Sequence, residues 1–228
     1  PAAPWETNSD SAAGDAAMSG NEGPHSADAR FARIDEMPDE MFYGMPRLVT
    51  HIDDEACSAL AAYYDRILKD DDRILDLMSS CVSHLPDMLM PAHVTGHGMN
   101  ATELDANPQL DTHFIQNLNR TPRLPYDGDA FDACLIAVSI QYLIDPVAVF
   151  TDVARVLKTG GVVAVSFSNR MFPTKAIAAW REGDDRAHCN LVESYLREAG
   201  GFGAIAIEDI SPHPGQSDPL FVVSGKVA

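Results

Sequence analysis

Short apolar runs alternate with amphipathic helical segments over most of the chain, and this alternation limits the possible folds more than any other feature. Residues 73–78 (RILDLM) and 133–140 (ACLIAVSI) are short, branched and apolar, as is typical of strands buried on both faces. Between such runs apolar residues recur at helical spacing, and one helical segment, residues 188–199, ends at Gly200 and Gly201. Strands and helices in alternation favour right-handed crossovers and a mostly parallel sheet. The sequence therefore predicts an α/β fold, a Rossmann-like three-layer sandwich.

Caps, turn residues and periodicity set the expected order of the remaining elements. A helix is predicted to start at Asp53 or Asp54, because either side chain can cap its first turn. A second helix lies within residues 145–161, where Gly160 and Gly161 are expected to stop it. Two further helices are predicted over residues 80–90 and 101–106. The other predicted strands are residues 93–99, 113–118, 161–168, 204–211 and 219–227.

The length of 228 residues suits one folded domain. Residues 1–30 are rich in Ala, Ser and Gly and have no apolar periodicity, which predicts a disordered acidic tail. Aromatic and apolar residues first cluster in residues 31–54, which we name the lid segment. Residues 55–228 are predicted to form the folded domain.

The formal net charge of -18 argues against nucleic acid or an anionic membrane as a partner. No apolar run reaches the roughly 20 residues of a membrane-spanning helix, so a soluble protein is expected. The four cysteines form no CxxC pair and are expected to be reduced core thiols. Reduced thiols favour the cytoplasm or the stroma or matrix of an organelle. The negative net charge fits a small-molecule substrate or a cationic protein better, and the sequence leaves open a monomer or a homodimer.

A family resemblance lies in residues 124–169, which read LPYDGDAFDACLIAVSIQYLIDPVAVFTDVARVLKTGGVVAVSFSN. The stretch resembles the centre of class I S-adenosylmethionine-dependent methyltransferases of the ubiquinone-biosynthesis type, or methyltransferase type 11. The shared pieces are a Leu-Pro-aromatic turn, a Phe-Asp strand start, an aromatic-Leu-x-Asp-Pro helix start and a Leu-Lys-x-Gly-Gly turn. The resemblance implies a seven-stranded sheet ordered 3-2-1-4-5-7-6 with its last strand antiparallel. It also implies S-adenosyl-L-methionine bound at the carboxyl ends of the first strands.

The resemblance places the cofactor loop directly after the first strand. Asp76 stands where the family has an acidic residue, but no glycine follows it, although the family has a glycine-rich loop there. Met78, Ser79 and Ser80 are assigned to this loop, and the serine hydroxyls can donate hydrogen bonds to the cofactor carboxylate.

A second departure falls at the end of strand two. Gly98 occupies the position where the family has a carboxylate that binds the ribose. The absence of this carboxylate is expected to weaken cofactor binding by about 1 to 3 kcal/mol. Met99 and Asn117 match positions that contact adenine, and Leu118 and Ser139 complete the predicted cofactor set.

Acceptor-binding residues are predicted around the same edge of the sheet. His51 and Tyr142 are the candidate catalytic residues, since histidine is the natural base near neutral pH. The candidate substrate residues are Tyr43, Arg47, Gln141, Asn169, Arg170 and Lys175. Histidines elsewhere show no metal-ligand spacing, so no metal site is predicted.

Two functions remain open at this stage. One is a divergent methyltransferase acting on a small-molecule acceptor by in-line methyl transfer. The alternative is a catalytically inactive methyltransferase-like domain that serves as a protein-interaction or regulatory module. A nicotinamide oxidoreductase lacks support because no G-x-G-x-x-G follows the first strand.

Overall fold

The computed structural model describes residues 28–228, which form a seven-stranded mixed sheet with helices on both faces. The strand order is β3-β2-β1-β4-β5-β7-β6, as the resemblance implied. The strands are β1 (Arg73–Asp76), β2 (His93–Gly98), β3 (Thr112–Ile115), β4 (Phe131–Ala137), β5 (Leu157–Phe167), β6 (Phe202–Asp209) and β7 (Phe221–Val227). The helices are α1 (Asp39–Tyr43), α2 (Asp54–Ile67), α3 (Ala101–Asp105), α4 (Pro146–Val156), α5 (Ala178–Arg181) and α6 (Asp185–Ala199).

Strands β1 to β5 pair in parallel, whereas β7 runs antiparallel to both β5 and β6. Asp76, the last residue of β1, pairs with Gly96 on one side and Leu135 on the other. The carboxyl ends of β1, β2 and β4 therefore meet at one edge of the sheet. This edge is where α/β sheets bind ligands.

Alternating side chains of the central strands pack against different helix layers. Ile74 faces the layer of α2, where Leu60 and Tyr64 are buried. Leu75 faces the opposite layer, where Phe150 of α4 and Val192 of α6 are buried. Both faces of β1 are thus covered, as its apolar run predicted.

The predicted helix over residues 80–90 is wrong, because the chain from Leu77 to Ala92 is an irregular loop. Pro86 and Pro91 oppose a helix there, and His84 has a φ of 57°. The backbone is bonded by side chains instead: Gln109 Oε1 accepts from the amides of Ser83 and Leu85, and Gln109 Nε2 donates to Leu85 O. The connection between β1 and β2 therefore contains no helix.

A second prediction is also wrong: Gly160 and Gly161 do not stop a helix. Helix α4 already ends at Val156, and β5 begins at Leu157 and contains both glycines. Gly160 has a φ of 80°, which glycine adopts easily, and the pairing of β4 with β5 shifts register between Leu157 and Val162.

Other predicted elements are confirmed. Helix α2 begins after Asp53, whose side chain accepts from the amide of Ala56, and α6 ends at Gly200. All four cysteines are free, with Cys134 and Cys189 buried and the other two half-buried. Over residues 28–228 no helix is both long and apolar enough to cross a membrane. The predicted tail, residues 1–30, lies outside the described residues except for its last three: Asp28 caps a short 3-10 helix, Ala29–Phe31, that includes the other two.

Candidate active site

A cavity of about 290 Å³ lies at the carboxyl ends of β1, β2 and β4, beneath the lid segment. Most of the residues predicted from the sequence line it. These are Tyr43, Arg47, His51, Asp76, Met78, Ser79, Ser80, Gly98, Met99, Asn117, Leu118, Ser139, Tyr142 and Arg170.

Three predicted substrate residues lie outside this cavity. Gln141 is fully buried, and its Nε2 donates to Val138 O and Arg170 O, which joins the loops after β4 and β5. Asn169 faces solvent. Lys175 is fully buried against the lid segment and is not available to a substrate.

Asp76 forms the floor of the cavity at the end of β1. Its carboxylate is 2% exposed and accepts a hydrogen bond from Ser79 Oγ at 2.5 Å. Burial raises the pKa of Asp76 to about 7, although hydrogen bonds from Ser79 and Ser83 oppose the shift. A cation placed beside this carboxylate would favour its ionised form.

Met78 takes a conformation that glycine adopts more easily, with a φ of 59°. Its amide donates to Nδ1 of His97 at 3.0 Å, so Nδ1 is unprotonated and Nε2 donates to Gln116 O at 2.9 Å. Burial lowers the pKa of His97 to about 4, which keeps the ring neutral. His97 therefore clamps the loop that lacks glycines, a role that the sequence did not reveal.

The same loop explains the glycine at the end of β2. A Cβ atom on Gly98 would lie 2.7 Å from the backbone oxygen of Ser79, which is too close for any side chain. The loop is further fixed by a hydrogen bond from the Ser79 amide to His97 O. A carboxylate at position 98 is thus incompatible with the path of the cofactor loop.

Glu103 is a cavity residue that the sequence reasoning missed. Its Oε2 accepts from Ser80 Oγ at 2.7 Å, and its Oε1 accepts from the amide of Arg47 at 2.7 Å. Asn100 caps α3 by accepting from the Glu103 amide and donates from Nδ2 to Tyr43 O. Glu103 therefore joins the cofactor loop to the lid segment.

The adenine side of the predicted cofactor site is also bonded to the lid segment. Asn117 Nδ2 donates to Glu40 of α1 at 2.9 Å, and its Oδ1 accepts from the amide of Asn119. Asn119 Nδ2 donates to Asp39 and to Tyr142 O.

Aromatic rings line the opposite end of the cavity. Phe172 stacks on Tyr142 at a centroid distance of 5.8 Å, and His51 meets the Phe172 ring edge-on at 5.4 Å. The Arg47 guanidinium lies over the Phe42 ring at 4.5 Å and donates to Phe42 O and Met45 O. Within residues 28–228 no carboxylate pairs with this guanidinium, whereas Arg170 pairs with Asp218 at 2.8 Å.

Two histidines near this end are kept neutral. Burial lowers the pKa of His51, and Glu103 only partly opposes this. Burial, with a smaller effect from His51, lowers the pKa of His84 to about 4. The Tyr142 hydroxyl accepts from the Phe172 amide and, within residues 28–228, donates to no carboxylate. Burial raises the pKa of Tyr142 to about 12. His51 can therefore accept a proton at neutral pH, whereas Tyr142 stays protonated.

Comparison with known proteins agrees with this geometry. Residues 83–165 match the family model described as a methyltransferase domain. The bifunctional biotin biosynthesis protein BioHC of Teredinibacter turnerae is 31% identical over 104 residues, covering 43% of this chain and 18% of that protein. The chain therefore matches less than a fifth of the length of this curated relative.

Solved structures share the fold at low identity. A putative methyltransferase in complex with the Trm112 activator of Haloferax volcanii has a TM-score of 0.59 at 14% identity, over 76% of this chain and 90% of that one. An S-adenosylmethionine-dependent methyltransferase of Mesorhizobium loti has a TM-score of 0.52 at 17% identity, over 74% and 97%. Phosphoethanolamine N-methyltransferase 2 of Haemonchus contortus, bound to S-adenosyl-L-methionine, has a TM-score of 0.53 at 14% identity, over 74% and 52%.

The fold and the match over residues 83–165 point to the same class of protein. The chain has the strand order of class I, S-adenosylmethionine-dependent methyltransferases, and residues 83–165 are similar to a methyltransferase domain. One protein that shares this fold, the Haemonchus contortus enzyme, binds S-adenosyl-L-methionine.

The residues in the cavity fit this cofactor. Asp76 supplies a buried carboxylate with a raised pKa, which suits a cationic ligand. Ser139 Oγ lines the cavity, is buried, and has no hydrogen-bond partner among the described residues. A ligand with polar groups would satisfy this hydroxyl.

Proposed function

We propose that this protein transfers a methyl group from S-adenosyl-L-methionine to a small-molecule acceptor bound under the lid segment. The observation that carries the proposal is the joining of two residue sets in one cavity. The cofactor loop with Asp76 forms one end, and the aromatic end holds Arg47 and His51. A negative charge of -18 on the chain disfavours a nucleic-acid acceptor.

The cofactor supplies an activated methyl group on a sulfonium, and the sulfur leaves as a neutral thioether. Ser139 provides a hydroxyl donor for a polar group of the cofactor, whereas the hydroxyls of Ser79 and Ser80 donate to Asp76 and Glu103 and orient those carboxylates toward it. The carboxylate of Asp76 faces the same space and favours a bound positive charge. Met99, Asn117 and Leu118 are assigned to the adenine, and Gly98 lets the cofactor loop lie against β2.

Transfer by in-line displacement needs alignment of two atoms in a site that excludes water. The rings of Tyr43, Tyr142 and Phe172 provide an apolar wall for the acceptor. His51 removes a proton where the acceptor atom carries one, because its ring is neutral. Tyr142 orients the acceptor as a protonated phenol, and Arg47 holds an anionic group if the acceptor has one.

Calorimetric titration tests the cofactor half of the proposal. Micromolar binding of S-adenosylmethionine and of its demethylated product, S-adenosylhomocysteine, supports an enzyme. Absence of heat at millimolar concentration would instead favour the inactive interaction module. Incubation of metabolite fractions with methyl-labelled cofactor then identifies the acceptor.

The proposed role of His51 toward the methyl acceptor is tested by substitution. His51→Gln removes the proposed base and is expected to lower kcat by about 10²-fold or more for a protonated acceptor, with little change in cofactor affinity. His213→Gln is the matched control, since His213 is exposed and far along the chain from the cavity residues. Equal kcat values for His51→Gln and the wild-type protein would remove His51 from the mechanism.

A further inference from the structure

We infer that Glu103 accepts the ribose hydroxyls of the cofactor, in place of the carboxylate that position 98 cannot carry. This assignment rests on the proposed function, because it presupposes that S-adenosylmethionine occupies the cavity. On this assignment, α3 supplies the carboxylate that is absent from position 98.

The ribose of the cofactor presents two neighbouring hydroxyl donors. Buried donors that find no acceptor cost free energy, and a carboxylate is the acceptor that can take both. Gly98 cannot provide it, since a side chain there would collide with Ser79 O at 2.7 Å. The acceptor must therefore come from another residue that lines the cavity.

Three carboxylates line the cavity, and two of them are committed elsewhere. Asp39 is paired with Arg33 at 2.7 Å and with Lys175 at 3.1 Å. Asp76 is 2% exposed at the floor of the cavity, where Ser79 Oγ binds it. The third is Glu103, which forms no ion pair with a lysine or arginine side chain among the described residues.

The position of Glu103 suits a ribose between the cofactor loop and β2. Helix α3 starts two residues after Met99, directly beyond the end of β2, and Glu103 lies in its first turn. Ser80 Oγ holds one carboxylate oxygen and the Arg47 amide holds the other. A carboxylate has about four acceptor sites, so two bonds leave capacity for two hydroxyls.

The test compares two ligands on the variant Glu103→Gln, which keeps the size of the side chain but removes its charge. S-adenosylhomocysteine and 5′-methylthioadenosine share the adenine and the ribose, but only S-adenosylhomocysteine carries the amino-acid ammonium. Binding of each ligand, and of the 2′,3′-dideoxy form of 5′-methylthioadenosine, is measured by calorimetry. Asp105→Asn is the control, because Asp105 is an exposed residue of the same helix.

The expected result is a loss of about tenfold to a hundredfold in affinity for both ribose-containing ligands in Glu103→Gln. The dideoxy form should bind the wild-type protein and the variant equally. A loss confined to S-adenosylhomocysteine would overturn the inference, because Glu103 would then hold the ammonium. Unchanged binding of all three ligands would also overturn it.

The outcomes separate this inference from the proposed function. A wild-type protein that binds neither S-adenosylhomocysteine nor S-adenosylmethionine refutes the function itself. A wild-type protein that binds both, with no effect of Glu103→Gln, refutes only the role of Glu103. If Glu103→Gln does not fold, Glu103→Asp carries the same test, since it keeps the charge and withdraws it from the ribose by one methylene.

Discussion

Two buried titratable side chains hold the cofactor loop, and burial shifts each of them toward its neutral form. The pKa of Asp76 rises to about 7, so its carboxyl group tends to keep a proton. The pKa of His97 falls to about 4, so its ring tends to lose one. Because the two shifts have opposite signs, they change stability in opposite directions as the pH falls.

Asp76→Asn is expected to stabilise the ligand-free protein and to weaken cofactor binding. The raised pKa means that the stabilising effect of a protonated Asp76 is lost as the pH rises from about 4 to about 7. The variant should therefore gain more in free energy of unfolding at pH 8 than at pH 5, as measured by urea unfolding.

Affinity for S-adenosylmethionine should fall below about pH 7 in the wild-type protein, because the bound cation must displace the proton of Asp76. In Asp76→Asn the affinity should be weak and independent of pH. A variant that binds as tightly as the wild-type protein at pH 8 would show that Asp76 does not face the cofactor. Asp105→Asn serves again as control.

His97→Gln is expected to flatten the acid dependence of stability, because glutamine can replace both hydrogen bonds but cannot titrate. The ordinary histidine pKa of 6.5 is lowered in the folded state, so stability is lost as the pH falls from 6.5 toward 4. Between pH 6.5 and 5 this group contributes a loss of about 2 kcal/mol. Urea unfolding at the two pH values should show this loss in the wild-type protein and in the control His213→Gln, but not in His97→Gln.

At the scale of elements, sequence periodicity predicted the helices and strands whose apolar residues recur at a regular spacing. Helix α2 and strand β4 lie where apolar spacing placed them, and the sheet order followed from the resemblance. Over residues 80–90 Pro86 is a local signal against the predicted helix, whereas the bonds from Gln109 that replace those of a helix come from a residue too far along the chain for a local pattern to reveal.

The candidate site likewise contains residues that the sequence predicted and residues that it did not. Residues at strand ends, such as Asp76 and Ser139, could be placed because strand ends meet at one edge of a parallel sheet. His97 and Glu103 could not, because their roles depend on contacts with Met78 and Ser80, which lie far away in sequence. A histidine between two glycines in a strand, as in Gly96 to Gly98, is the one signal that could have pointed to a close backbone approach.

The loop from Leu77 to Ala92 makes an element-scale prediction. Gln109→Ala removes three hydrogen bonds to the backbone of Ser83 and Leu85 and should lower the free energy of unfolding by about 1 to 3 kcal/mol. Amide hydrogen exchange at Ser83 and Leu85 should quicken more than exchange in α6. The exposed Gln216→Ala is the control, and equal protection of the loop in both variants would contradict this account.

At the scale of the whole molecule, the lid segment is joined by buried charges to the loop between β5 and α5. Lys175 is 0% exposed, pairs with Asp39 at 3.1 Å and Asp35 at 3.4 Å, and donates to Met37 O. Arg33 also pairs with Asp39. Residues of the lid segment line one side of the cavity, and we propose that ligands enter and leave by its displacement.

Lys175→Met is therefore expected to loosen the lid and to speed release of the cofactor. Removing one partner of a buried pair typically costs about 3 to 5 kcal/mol, because the remaining charge is left unpaired. Here Arg33 still neutralises Asp39, so the cost should fall mainly on the lid and its opening. Amide exchange over residues 33–47 should quicken, and stopped-flow measurement should show faster dissociation of S-adenosylhomocysteine.

The control Lys158→Met, which breaks the pair with Asp132 at the start of β4, should lower stability without either effect. Faster exchange throughout the sheet in Lys175→Met, with an unchanged dissociation rate, would instead make Lys175 a core residue with no part in closing the cavity.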